Sequence, residues 1–277
     1  MVDMVKQGTE GFVPHLGGAP FNVAVGASRC GAKTAFCGTV GKDLWGDYIV
    51  KEVLSFGVES RIAKVDRATT MAFVTIDKGE RSFGFMRSDG ADTYLDVEMI
   101  NGFIKQGDIV HLGSLPLSCK VGQERVEEII RHCKAKGCKL SFDVNLREGV
   151  WANDTEMIDK TLQVVRACDY VKLNEEEWNR LCPERERIVE EYPDKTVVVT
   201  LGEEGAMLYK DGYQSYVPAD KVEAVDTTGA GDAFWGSMLA DLDRWQGKYP
   251  PTHEDLMPMM ENATRAGANA VKHFGAI

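Results

Sequence analysis

The sequence predicts an α/β fold: a three-layer sandwich of helices around a mostly parallel sheet, with a small β-sheet lid. Three observations point there. Short β-branched runs alternate with stretches whose apolar residues recur at helical spacing, the pattern of a parallel sheet covered on both faces. The alternation breaks once, where three strand-like runs follow one another without a helix. The 277 residues are 44% hydrophobic and 27% charged, enough for one large core, and no linker divides them. A single domain over 1–277 is expected, with the lid drawn from about 9–16 and 58–92.

The elements follow in order. Residues 33–40 read as a strand. Trp45, Ile49, Val53 and Phe56 then lie on one helical face, which Gly57 ends. Residues 58–65, 70–77 and 81–87 are the three consecutive strand-like runs, with Lys78-Gly79-Glu80 as a hairpin turn. They form either a lid or an ordinary meander at a sheet edge. Residues 108–112 are a short apolar run, and the helix expected over 121–136 is closed by Gly137. Residues 139–144 and 169–173 are further strands with a helix between them. Residues 196–201 (Thr-Val-Val-Val-Thr-Leu) form the clearest buried strand, short, β-branched and bounded by turn residues. Ligands of such folds bind outside the carboxyl ends of the strands.

Charge and composition exclude several functions. Asp and Glu outnumber Lys and Arg 43 to 32, a formal net charge of −11. Such a chain is poorly suited to nucleic acid or an anionic membrane, which attract clustered positive charge. No apolar run reaches the roughly 18 residues that span a bilayer, and residues 1–8 do not read as a secretory signal. The seven cysteines include no Cys-x-x-Cys pair, so neither a disulfide framework nor a zinc site is expected. Free thiols in a reducing cytoplasm fit better.

The strongest chemical signal is Asp226-Thr227-Thr228-Gly229-Ala230-Gly231-Asp232-Ala233-Phe234-Trp235-Gly236. Phe234, Met238, Leu242 and Trp245 share a helical face, so small residues run directly into a helix N-terminus. That arrangement directs backbone N–H groups and the positive end of the helix dipole at an anion. Asp232 beside such a hole would be repelled by phosphate unless it takes a proton from an attacking hydroxyl. An isolated Gly-x-Gly-Asp would read better as a plain helix cap. A second signal is Gly17-Gly18-Ala19-Pro20-Phe21-Asn22, with Gly31 and Gly41 beyond it. The glycine pair permits close backbone approach, and Asn22 can donate and accept, as a sugar hydroxyl requires.

Together, in this order and near opposite ends of the chain, the two segments resemble the signatures of the ribokinase-like (PfkB) carbohydrate kinase family. The resemblance implies Asp232 as catalytic base and the backbone of Gly229, Ala230 and Gly231 as the hole for charge on the transferred phosphoryl group. It implies Asp226 and Thr228 as holders of a monovalent cation such as K+. Asn174 and Glu177 match its Asn-x-x-Glu element, which organises Mg2+ and triphosphate largely through water, although the same residues make a capping pattern. Thr200, Gly202 and Gly205 resemble its nucleotide-contacting turn, and Thr264 falls where relatives place an Asn near the adenine. Asp143-Val144-Asn145-Leu146-Arg147 and Met86-Arg87-Ser88-Asp89-Gly90 resemble the fructokinase branch. Asn145, Arg147 and Arg87 then join Gly17, Gly18 and Asn22 as sugar ligands. Arg87 can equally be a surface charge at a strand end. Residues 1–5 resemble the tail of the family's opening element, which makes Asp3 the sugar-binding carboxylate; the strand before it and the usual C-terminal end are expected to be segments omitted from this sequence.

The resemblance implies an ATP-dependent sugar kinase, with fructose first among substrates and 2-keto-3-deoxygluconate or ribose as alternatives. A non-catalytic nucleotide-binding relative is the rival from another class. A nicotinamide oxidoreductase lacks its fingerprint. Expected partners are small molecules, with the lid strands offering an edge for a homodimer.

Overall fold

The computed structural model describes residues 1–7, 11–77, 80–147, 149–182 and 193–276. Its larger sheet has six strands in the order β12-β11-β10-β9-β8-β7. These are β7 (Ile109–Gly113), β8 (Lys139–Asp143), β9 (Tyr170–Asn174), β10 (Thr196–Thr200), β11 (Gly205–Lys210) and β12 (Tyr213–Pro218). The β7 to β10 pairings are parallel, and β11 and β12 add antiparallel to that edge.

Strand β10 shows why the run of valines is needed. Val197 and Val199 pack into a core with helices α3 (Val97–Phe103), α4 (Lys120–Lys136), α5 (Asp154–Ala167) and α6 (Glu175–Leu181). Val198 points the other way, into a core shared with α7 (Ala230–Arg244) and α8 (His253–Ala270). Side chains alternate across a strand, so a strand covered on both faces is apolar at every position. The helices carry their apolar residues on one stripe: Val126, Ile129 and Cys133 of α4 are buried, and Gly137 ends that helix in the left-handed conformation at φ 70°. Phe234, Met238 and Leu242 of α7 are buried as expected, while Trp245 follows the helix end and packs beside the same core.

The smaller sheet has the order β2-β1-β5-β6. It comprises β1 (Val2–Gln7), β2 (Gly11–Leu16), β5 (Met71–Asp77) and β6 (Glu80–Met86). The expected hairpin turn at Lys78-Gly79 lies outside the described residues, but Asp77 and Glu80 on either side are paired. One expected lid strand is placed differently. The 58–65 run forms β4 (Glu59–Val65), which pairs in parallel with β3 (Ala35–Gly41) rather than with β5. The connection through α2 (Leu44–Glu52) and a short 3-10 turn ended by Gly57 is long enough for a parallel crossover. Residues 183–192 lie outside the described residues.

Helix α1 (Ala19–Arg29) packs against α7 through two glycines. A Cβ on Gly236 would lie 2.7 Å from the Val23 carbonyl oxygen and the Ala27 nitrogen, and one on Gly26 would lie 3.4 Å from Ala233 Cα. At Gly236 the backbones leave no room for a side chain, and at Gly26 a methyl would already be in van der Waals contact. This approach sets the N-terminal part of α1 beside the start of α7.

Candidate active site

Gly229 precedes α7 in the left-handed conformation, φ 74°, and no side chain caps the helix. The Ala230 N–H turns back to the Thr227 carbonyl at 3.4 Å, and the Gly231 and Asp232 amides that follow have no side-chain cap and can meet an outside acceptor. A Cβ on Gly229 would lie 2.6 Å from Ala276 Cα, because the chain beyond α8 returns over this turn. The return is pinned by Asp226: one carboxylate oxygen accepts from the backbone and hydroxyl of Thr228, and the other from the Gly275 N–H at 3.0 Å. Both carboxylate oxygens of Asp226, expected with Thr228 to hold a monovalent cation, thus hold the turn together.

Asp232 lies in the first turn of α7, and its Oδ2 accepts a 2.8 Å hydrogen bond from Asn22 Nδ2. These residues are 210 positions apart, and the glycine contact between α1 and α7 brings them together. The other amide atom, Asn22 Oδ1, is buried with no partner among the described residues, so it can accept from a ligand hydroxyl. Asp232 keeps some exposed surface, yet its carboxyl is enclosed. Burial, reinforced by Asp143, raises its pKa from the ordinary 3.8 to about 6, against the opposing pull of Asn22, Lys172 and Arg147. A carboxylate near 6 is ionised at neutral pH and basic enough to take a proton as a hydroxyl attacks.

Asp3, the second residue of β1, lies opposite His15 of β2 and Ala72 of β5. A Cβ on Gly17 would fall inside its carboxyl; Gly17 is what lets Asp3 lie against the turn into α1. Gly18 then takes φ 116° and accepts at its carbonyl from the N–H groups of Phe21 and Asn22. Asp3, Gly17, Gly18 and Asn22 therefore form one continuous wall.

The other expected ligands are more engaged. Glu177 is buried; one oxygen accepts from Asn174 N–H at 2.9 Å and the other from Leu146 N–H at 2.7 Å, while Asn174 caps α6 through the Glu177 N–H. The capping pattern is thus realised, and it also ties the loop bearing Asn145 and Arg147 to β9. Asn145 holds a left-handed φ of 34° in that loop, and its carbonyl accepts from Ser114 Oγ. Arg147 donates to its neighbour's carbonyl and lies near enough to Asp232 to favour that carboxylate. Arg87 is nearly buried. Its Nε donates to Asp92 at 2.8 Å, and its terminal nitrogens donate to Ser118 Oγ and the Leu115 carbonyl. It clamps the end of β6 to the segment after β7. A cleft of about 510 Å³ opens beside it, lined by Thr69, Met71, Phe85, Gly149 and Val150; its lining does not include Asp232 or Asn22.

Thr200 bonds weakly to the Leu173 carbonyl at 3.5 Å. Gly202 is left-handed at φ 61°, and Gly205 is glycine because a Cβ there would run into the Val217 carbonyl. Thr264 is buried, with its hydroxyl on the Glu261 carbonyl of its own helix.

Sequence reasoning missed one pair. Lys172 of β9 is buried, and its ammonium donates to both oxygens of buried Asp143 at 3.0 Å. Burial disfavours its charge, but Asp143, Glu177 and Asp232 outweigh this and raise its pKa. The available signal was a lone cation inside an apolar strand, Tyr170-Val171-Lys172-Leu173, which has to be paired.

The pfkB family carbohydrate kinase model matches residues 4–277. The chain belongs to this family. It is an enzyme, a carbohydrate kinase, and its fold is ribokinase-like. It is 33% identical over 288 residues to a fructokinase of Vibrio alginolyticus, covering 100% of this chain and 92% of that one. The crystal structure of fructokinase from Vibrio cholerae O395 in a fructose-, ADP- and calcium-bound form superposes with a TM-score of 0.91 at 30% identity, over 99% of this chain and 91% of that one. Aminoimidazole riboside kinase of Salmonella enterica, complexed with aminoimidazole riboside and an ATP analogue, gives 0.87 at 28% identity, over 99% and 92%. No helix of the described residues is long and apolar enough to cross a membrane; among the described residues Cys30, Cys37, Cys119, Cys133, Cys138 and Cys168 form no disulfide.

Proposed function

We propose that this kinase transfers the γ-phosphoryl group of ATP to a primary hydroxyl of fructose. The observation that carries the reading is the Asn22–Asp232 hydrogen bond at 2.8 Å, made at the uncapped start of α7. It joins the sugar-facing wall to the phosphate-facing turn. Asp3, Gly18 and Asn22 hold the sugar, with Asn22 Oδ1 accepting one hydroxyl, and Asn145 and Arg147 approach from the loop after β8, where Arg147 acts on Asp232. Asp232 takes the proton of the attacking hydroxyl. The Gly229–Gly231 amides meet the charge that develops on the phosphoryl oxygens, a contribution that needs no reorganisation because the helix fixes them. The four-stranded sheet acts as the lid that excludes water, a competing nucleophile. Fructose is chosen because the curated relatives at 31–34% identity over nearly the whole chain are fructokinases.

Among the described residues no group of three or more His, Cys, Asp or Glu could hold a metal ion. A magnesium ion would therefore come with the triphosphate and keep its waters near Asn174 and Glu177, neutralising phosphate charge. Potassium beside Asp226 and Thr228, nucleotide contacts from Thr200, Gly202, Gly205 and Thr264, a homodimer through the lid strands and a cytoplasmic setting complete the reading. An ATP-coupled assay against hexoses, pentoses and keto-sugar acids tests it. Fructose should give the highest kcat/KM. Preference for ribose or 2-keto-3-deoxygluconate would replace the substrate, and ATP consumption with none of them would overturn the reading.

A further inference from the structure

Residues Ser141 and Asp143 on β8 and Tyr170 and Lys172 on β9 alternate onto the sheet face that α7 covers. Trp235 of α7 donates its indole N–H to Ser141 Oγ at 2.9 Å, and His111 of β7 shares the same hydroxyl at 3.0 Å. Lys172 reaches the start of α7. A Cβ added to Gly231 would lie 3.1 Å from Lys172 Nζ and 3.3 Å from its Cε. The ammonium thus lies directly under the phosphate-facing turn, in space that a glycine leaves open. Two of its protons go to Asp143. A buried ion pair is a weak source of stability, because desolvating both ions offsets their attraction. Its place beneath Gly231 and Asp232 calls for another explanation.

We propose that the Lys172–Asp143 pair is a positioning element for phosphoryl transfer, in which Lys172 supports the Gly231 turn from below and sets the charge balance that keeps Asp232 ionised. The inference rests on Asp232 being the base. Asp232 is faced by Asn22 from α1, Asp143 from β8, Lys172 from β9 and Arg147 from the loop after β8. Glu177 on α6 acts on Lys172, and His111 on β7 is buried and favoured neutral. Lys172 and Asp143 act on Asp232 with opposite sign, so removing one leaves the other uncompensated.

The test is the titration of the Asp232 carboxyl by carbon-13 NMR in the whole protein, assigned by its loss in Asp232→Asn, alongside the pH profile of kcat. Lys172→Met should move the titration and the acid limb of kcat up by about one pH unit or more, with sugar KM changed less than kcat. Asp143→Asn should move both down. Opposite signs are what a pair that merely holds the fold would not give. Should Lys172→Met fail to fold, Asp143→Asn decides alone: a downward move supports the inference, and no move or an upward one overturns it. Two folded variants with unmoved titration also overturn it. The two readings fail separately, since turnover retained in Asp232→Asn removes the base assignment, whereas an unmoved Asp232 signal removes only the role of the pair.

Discussion

Replacing Asp232 by Asn should cost activity and add stability. The carboxyl titrates at about 6 in the folded protein against an ordinary 3.8, a rise of about two pH units. At 1.36 kcal/mol per unit, holding the ionised form in the fold costs about 3 kcal/mol. Relaxation of the surroundings offsets part of this, so roughly 1–2 kcal/mol is the expected gain at pH 8. The sign follows from the direction. A raised carboxyl pKa favours the fold fully below pH 3.8, and that advantage is lost as pH rises toward 6, leaving the full penalty above. The neutral Asn pays no such penalty and can still accept from Asn22 Nδ2. Urea unfolding of both proteins at pH 8, 6 and 4.5 should show the variant ahead at pH 8, with the gap shrinking as pH falls. Turnover of the variant should drop by about 10²–10⁴-fold. A variant less stable than the natural protein at pH 8, or a gap independent of pH, would refute the argument that Asp232 is held ionised against its surroundings.

Three further outcomes follow from the same geometry. The kcat/KM for sugar should fall as pH drops through about 6, where Asp232 takes up a proton; a profile flat from pH 8 to 5 would contradict this. Gly236→Ala places a methyl 2.7 Å from the α1 backbone, so urea unfolding should show a loss of about 1–3 kcal/mol, and kcat should fall as Asn22 is pushed from Asp232. Arg87→Ala strips Asp92, Ser118 and the Leu115 carbonyl of their shared donor; a loss of about 3 kcal/mol or more is expected, read by chemical unfolding, together with a higher sugar KM as the lid loosens. An unchanged unfolding midpoint would show the clamp to be idle.

The sequence alone determined what depends on neighbours along the chain. The period of apolar residues set the strands and helices, Gly137 and Gly57 ended two of them, and the glycine-lined entry to α7 with Asp232 in its first turn was legible because an anion site at a helix start is a local construction. The glycine pair before Asn22 was legible for the same reason. Tertiary structure decided whatever depends on who stands opposite. Pattern could place residues 59–65 in a strand but not choose β3 over β5 as its partner, since strand pairing is a long-range choice. Arg87 and Glu177 read as ligands from their segments; the fold brings Asp92 and Ser118 to one, and the Leu146 amide to the other. The bond between Asn22 and Asp232, and the lysine beneath Gly231, exist because two helices meet through glycines and the end of β8 pairs with Lys172 of β9. Such distances belong to the packed molecule, and linear order carries no measure of them.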